Sequence, residues 1–123
     1  MIEKIGELSL EIINTLNLDI SAGTAFYIGE SNRRHMKNRH PLDYEKYYNR
    51  LSKIISDPDY AGINPSDGSI EIIKKFGKYV KIAVRIANDG EYYARSLYAI
   101  SSKRIKNFLE NGMLFPVDKK KNL

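Results

Sequence analysis

The stretch ESNRRHMKNRHP, residues 30–41, holds both histidines of the chain and four of its twenty basic residues. Between Arg34 and Arg39 there is no acid. A neighbouring cation favours neutral imidazole, the form that accepts a proton near neutral pH. The same cations attract phosphate. These residue types suit RNA cleavage. A base removes the proton of a 2′-hydroxyl, which attacks the adjacent phosphorus. An acid protonates the leaving 5′-oxygen, and cations and hydrogen-bond donors hold the charge on the phosphoryl oxygens. His35 and His40 are the candidate acid–base groups, and Arg34 and Arg39 the candidate phosphate ligands. Five residues of unbroken helix turn about 500°, which leaves the two rings roughly 140° apart. Both reach one site only if the helix breaks, and Pro41 can break it. His35 is therefore the first choice, with His40 the alternate, better placed to cap the helix that follows. The competing reading is a solvated basic helix.

Other chemistries lack their residues. There is no cysteine, so no disulfide and no thiolate zinc site, which fits a reducing cytoplasm. No H-x-x-x-H or H-x-x-E-H pair and no glycine-rich phosphate loop occurs, so neither metal nor cofactor is expected. Asp57 and Asp59 sit beside proline and glycine and read as turn builders. Tyr44, Tyr47 and Tyr48 follow helical spacing and read as core.

The elements that must hold this stretch are read from periodicity. Ile2, Ile5, Leu8, Ile12, Ile13 and Leu16 recur at helical spacing and predict an amphipathic helix within residues 1–18. TAFYIG reads as a short buried strand, and Ser31 as the cap of the helical turn that carries the histidines. Pro41 suits the first turn of one helix through Ile55. DPDYAGINPSDG reads as a loop, and SIEIIKKFG as a strand or a turn. KYVKIAVRIAN and EYYARSLYAIS flank Asp89-Gly90, a hairpin signal. SKRIKNFLEN reads as a helix capped by Ser101 or Ser102 and stopped by Gly112, followed by a frayed basic tail, residues 117–123.

The hairpin carries a geometric expectation. Pairing residues whose numbers sum to 179 sets Lys81, Ala83, Arg85, Ala94, Ser96 and Tyr98 on one face. Val80, Ile82, Val84, Ile86 and Leu97 take the other and must meet the helices. The first face is small, polar and basic, a floor suited to phosphate.

With 123 residues and 42% hydrophobic content, the chain is expected to form one α+β domain over 1–123. MIEKIGELSLEI is interrupted by charge, and no apolar run reaches the ~20 residues of a membrane span. Residues 1–30 carry five acids and only Lys4 as a base, while the rest carries nineteen bases and ten acids. Such a basic body invites RNA or DNA.

In this order, RRHMKNRHP, a Tyr-rich helix, IISDPDYAGINP, YVKIAVRI and YYARSLYAI resemble the phage-associated barnase/EndoU/colicin/RelE-like nucleases (the BECR fold). The resemblance covers about Phe26 to Ile105. It implies N-terminal helices packed on a small curved antiparallel sheet, with a C-terminal helix. It implies a metal-independent RNase of phages, mobile elements and toxin systems. Its site would combine His35 or His40, Arg34 and Arg39 with Ser96 and Tyr98 of a late strand, which position or protonate the phosphate. Lys81 and Arg85 join as phosphate ligands from the sheet face. The expected partners are tRNA or mRNA and a cognate antitoxin or immunity protein, in the cytoplasm and without a membrane. The other readings are a non-catalytic module that binds nucleic acid or a protein partner on the same fold, and an interaction domain using the acidic N-terminus.

Overall fold

The computed structural model describes residues 1–119. The first element departs from expectation. Residues 2–17 form strand β1 (Glu3–Glu7) and helix α1 (Leu10–Leu16), not one helix. Ser9 divides them: its extended backbone starts α1, and its hydroxyl accepts the Ile12 N–H. Gly6 favours the strand as well. A Cβ there would come within 3.0 Å of Ile55, so the missing side chain lets a helix lie close against β1. Strand β2 (Ala25–Ile28) lies antiparallel to β1.

Helix α2 (Glu30–Arg39) starts two residues earlier than a cap at Ser31 would allow. Gly29 is its cap, and Asn32 accepts the Gly29 N–H at 2.8 Å, so Ser31 sits inside the helix. Pro41 opens α3 (Pro41–Tyr47) as expected. The long tyrosine-rich helix, however, breaks at a 3-10 turn (Tyr48–Arg50) before α4 (Leu51–Ser56). The break sets α4 against β1, where the Ser52 hydroxyl donates to the Ile5 carbonyl at 2.8 Å. Tyr47 is buried, with Tyr44 and Tyr48 packed at the margin.

The expected loop after Ser56 contains strand β3 (Tyr60–Ile63), and SIEIIKKFG is strand β4 (Ile70–Phe76). Then come β5 (Lys78–Ile86), β6 (Tyr92–Ile100), α5 (Ser102–Glu110) and the short β7 (Phe115–Pro116). Ser101 caps α5, and Gly112 follows its end with φ 70°. The supposed frayed tail is held at its start: Val117 is buried and donates its N–H to the Asp59 carbonyl. Lys119 reaches Asp57 at 2.9 Å and Asp59 at 2.8 Å. The remainder of that tail, 120–123, lies outside the described residues.

Among the described residues the strands form one sheet in the order β1-β2-β6-β5-β4-β3-β7. It is larger than the small sheet expected, and it is mixed, because β2 runs parallel to β6. Val80, Ile82, Val84 and Leu97 face the main core beneath α1–α4, as hairpin parity required. Ile73 and Ile100 project from the opposite face into a second cluster with Ile105 of α5 and Leu114. Helices therefore cover parts of both faces. No helix among the described residues is long and apolar enough to cross a membrane.

The 179 rule holds from Tyr79↔Ile100 to Ala83↔Ser96 and then fails. Val84 pairs with Ala94, so Arg95 is an extra, unpaired residue in a β-bulge. The bulge moves Ala94 off the polar face and into the core, beside Val84. Ile86 also departs from its assignment: at the end of β5 it is exposed.

Candidate active site

Strand β6 pairs with β2 only at Tyr92 and Tyr93. Beyond the bulge its outer edge needs another partner, since unpaired strand amides are costly away from water. The corner between α2 and α3 takes that edge, with the Asp43 carboxylate accepting the Ala99 N–H at 2.9 Å. Met36, buried on the inner face of α2, anchors the same corner from within. The cleft between corner and sheet thus follows from an edge that β2 leaves open.

Pro41 disfavours helical backbone at the residue before it. His40 accordingly adopts φ −142° and ψ 69°, and α2 ends. The break removes the angular conflict between the two histidines. Both imidazoles line one cleft of about 370 Å³. His35 and Arg39 are four residues apart on α2 and share its cleft-facing side. His40 caps nothing with its side chain. Its ring stacks on Tyr98, with centroids 4.6 Å apart and planes 24° apart. Ser96 and Tyr98 supply hydroxyls from β6, on the face that strand alternation gave them.

One further cation, Arg104 from the first turn of α5, lines the cleft. Its guanidinium also lies over the Phe108 ring, 5.5 Å from the centroid. No local signal marks Arg104 in the sequence. It arrives because the buried Ile105 docks α5 on the sheet face beside β6. Neither Arg39 nor Arg104 enters any of the ion pairs found among the described residues, which leaves both cations available to an anion. The cleft lining includes no carboxylate.

Three predicted ligands lie elsewhere. Arg34 is exposed on α2 and does not line the cleft. Lys81 is buried below Tyr98, with Nζ 2.8 Å from a Glu71 carboxylate oxygen and 5.1 Å from the Tyr98 ring centroid. Burial alone would lower the Lys81 pKa. The hydrogen bond to Glu71 and the nearby Tyr98 phenol outweigh it, and the ammonium titrates above its ordinary value. Arg85 faces Asp67 across 3.5 Å. Hydrogen bonds from Ser69, with the Arg85 charge adding less, hold the Asp67 carboxyl below its usual range. The basic stretch also contains a structural arginine. Arg33 binds the Tyr48 hydroxyl, the Met1 carbonyl and Glu3, tying α2 to the N-terminus.

No curated protein and no solved structure matches the chain. A family model, phage-Barnase-EndoU-ColicinE5/D-RelE like nuclease3, matches residues 3–107. The match extends beyond the stretch from Phe26 to Ile105 at both ends and takes in β1 and α1. Its span reaches from the first strand through Arg104, so every cleft residue lies within it, and the chain belongs to this family of nucleases.

Proposed function

We propose that this chain is a metal-independent endoribonuclease that cleaves through 2′-hydroxyl attack and leaves a 2′,3′-cyclic phosphate. The observation that carries the reading is the joint placement of both imidazoles with Arg39 and Arg104 in one cleft without a carboxylate. Acid–base cleavage of RNA needs two proton-transfer groups, one for the nucleophile and one for the leaving oxygen. One imidazole takes the 2′-hydroxyl proton, and the other protonates the departing 5′-oxygen. Arg39 and Arg104 hold the phosphate, and the hydroxyls of Ser96 and Tyr98 donate to its oxygens as charge builds. A two-metal path would need bridging carboxylates, which this lining does not offer.

The family description refers to phage, and we infer a toxin or mobile-element effector acting on tRNA or mRNA in the cytoplasm and held in check by an antitoxin or immunity protein. The test is incubation of purified protein with RNA in EDTA, followed by end-group analysis. The expected product carries a cyclic phosphate, and 2′-deoxy substitution at the cut blocks it. A 3′-hydroxyl product or a requirement for Mg²⁺ overturns the mechanism. RNA bound tightly but never cut would instead favour a binding module on the same fold. Induced expression in a bacterial host should arrest growth with the wild-type chain and not with His35→Ala/His40→Ala.

A further inference from the structure

The cleft does not end at Tyr98. Strand β6 continues without a break from the cleft residues Ser96 and Tyr98 to Ala99 and Ile100, which line a second groove of about 560 Å³. Lys75, Lys78 and Tyr79, around the tight β4–β5 turn, form its other wall. Both depressions lie on one sheet face. The register pairs Lys81 with Tyr98 and Tyr79 with Ile100, and residues two apart in a strand share a face. Lys75 pairs with Tyr79 and so belongs to this face too. The first turn of α5 stands between the depressions, with Ser101 and Ser102 on the groove side and Arg104 on the cleft side.

The groove has the chemistry of a strand-binding surface. Lys75 and Lys78 are exposed, and neither enters any of the ion pairs found among the described residues. Lys74, next to them, differs: Asp57 holds it at 2.9 Å. Tyr79 offers a half-buried ring braced against Tyr60, with centroids 6.0 Å apart, and the Lys75 ammonium lies 5.4 Å from the Tyr79 centroid. Unpaired cations that follow a backbone, beside an aromatic ring on which a base can stack, are the means by which proteins hold single-stranded nucleic acid.

We propose that the groove of Lys75, Lys78 and Tyr79 binds the segment of single-stranded RNA flanking the scissile phosphate, extending the substrate site past α5. This inference rests on the ribonuclease reading for the identity of its ligand. The experiment therefore separates the two. Binding is measured on 2′-O-methyl RNA oligonucleotides, which cannot react, of about three and about twelve nucleotides over a range of salt. Wild-type protein should bind the longer RNA more tightly. Lys75→Gln/Lys78→Gln should remove most of that gain and lower the slope of log affinity against log salt by about 1.4, for two single-strand phosphate contacts. The control Lys46→Gln/Lys106→Gln removes the same charge outside the groove and should leave the slope nearly unchanged. Equal length gains and slopes in wild type and groove variant overturn the proposal, and so does an equal fall in the control. Cleavage of unmodified RNA by the wild-type protein is scored separately. If the length gain depends on the groove but no RNA is cut, the groove stands and the nuclease reading falls. If RNA is cut but the groove variant binds like wild type, the reverse holds.

Discussion

The imidazole of His40 lies stacked on the ring of Tyr98, with centroids 4.6 Å apart, where a cap for the following helix was expected. This contact fixes the ring over the β6 edge while His35 approaches the same cleft from α2. If the two imidazoles serve as base and acid, kcat/KM should follow a bell-shaped pH profile. His35→Ala and His40→Ala should each lower the rate by about 10²–10⁴ and each abolish one limb of the bell. A profile that keeps both limbs in the His40 variant would return His40 to a purely structural role.

Tyr98→Phe separates ring from hydroxyl. The stack with His40 involves the ring, while the phenol also helps to hold the buried Lys81 ammonium, so thermal stability should fall only modestly. Loss of one hydrogen bond to the transition state should lower kcat by about 10² with KM nearly constant. Parallel thermal melts and steady-state kinetics check it.

Lys81 was expected to hold phosphate and instead forms a nearly buried ion pair, with side chains 8% and 13% exposed for Lys81 and Glu71. Lys81→Met leaves the Glu71 carboxylate buried without its cation and should destabilise the fold by about 3–5 kcal/mol in urea titration. Lys81→Met/Glu71→Leu removes both charges and should recover much of that loss. Equal instability of single and double variants would show that the pair contributes through packing, not charge.

How far these placements could be read from the sequence depended on whether their cause was local. The Asp89-Gly90 hairpin, the α3 start at Pro41 and the Ser101-capped α5 each follow from residues inside the element, and each appears where expected. The N-terminus misled because its apolar spacing runs at helical period across Ser9, while the force that makes β1 a strand comes from β2 and from Ile55 packing on Gly6. Strand β3 lies hidden among turn-forming residues. It exists because β4 and β7 flank it and because Gly62 leaves room for the Met113 carbonyl, into which any Cβ would run. The two histidines, Arg39, Ser96 and Tyr98 could be gathered from one helix break and one hairpin. Arg104 could not, because only tertiary docking of α5 brings it there. The same limit applies to Lys81, whose partner Glu71 lies on β4, a segment whose sequence fits either a strand or a turn.

The carboxylates that hold the C-terminal segment predict acid sensitivity. Hydrogen bonds from Lys119, then Lys74, hold the Asp57 carboxyl far below the usual range. Burial pushes Asp59 upward, but bonds from Lys119 and the Lys75 N–H outweigh it and the net shift is downward. Groups with depressed native values stabilise the fold fully above the unfolded value of about 3.9, and that contribution is lost as pH falls toward the native values. Denaturant midpoints should therefore decline below about pH 5. Lys119→Gln should flatten the decline and lower the midpoint at neutral pH. An identical pH dependence in that variant would show that Lys119 does not control these carboxyls.

The bulge at Arg95 makes β6 two phases joined at one seam. Toward the turn, the strand keeps step with the core through Ala94; toward α5, it keeps step with the cleft through Ser96 and Tyr98. Because the seam already holds one surplus residue, deleting Arg95 restores simple alternation and leaves every other side chain on its present face. The same deletion between Leu97 and Ile100 would carry the residues on one side of the gap to the opposite face. At this seam the length of β6 can drift by a residue without disturbing either the interior or the chemistry, and the seam lies directly beside the cleft.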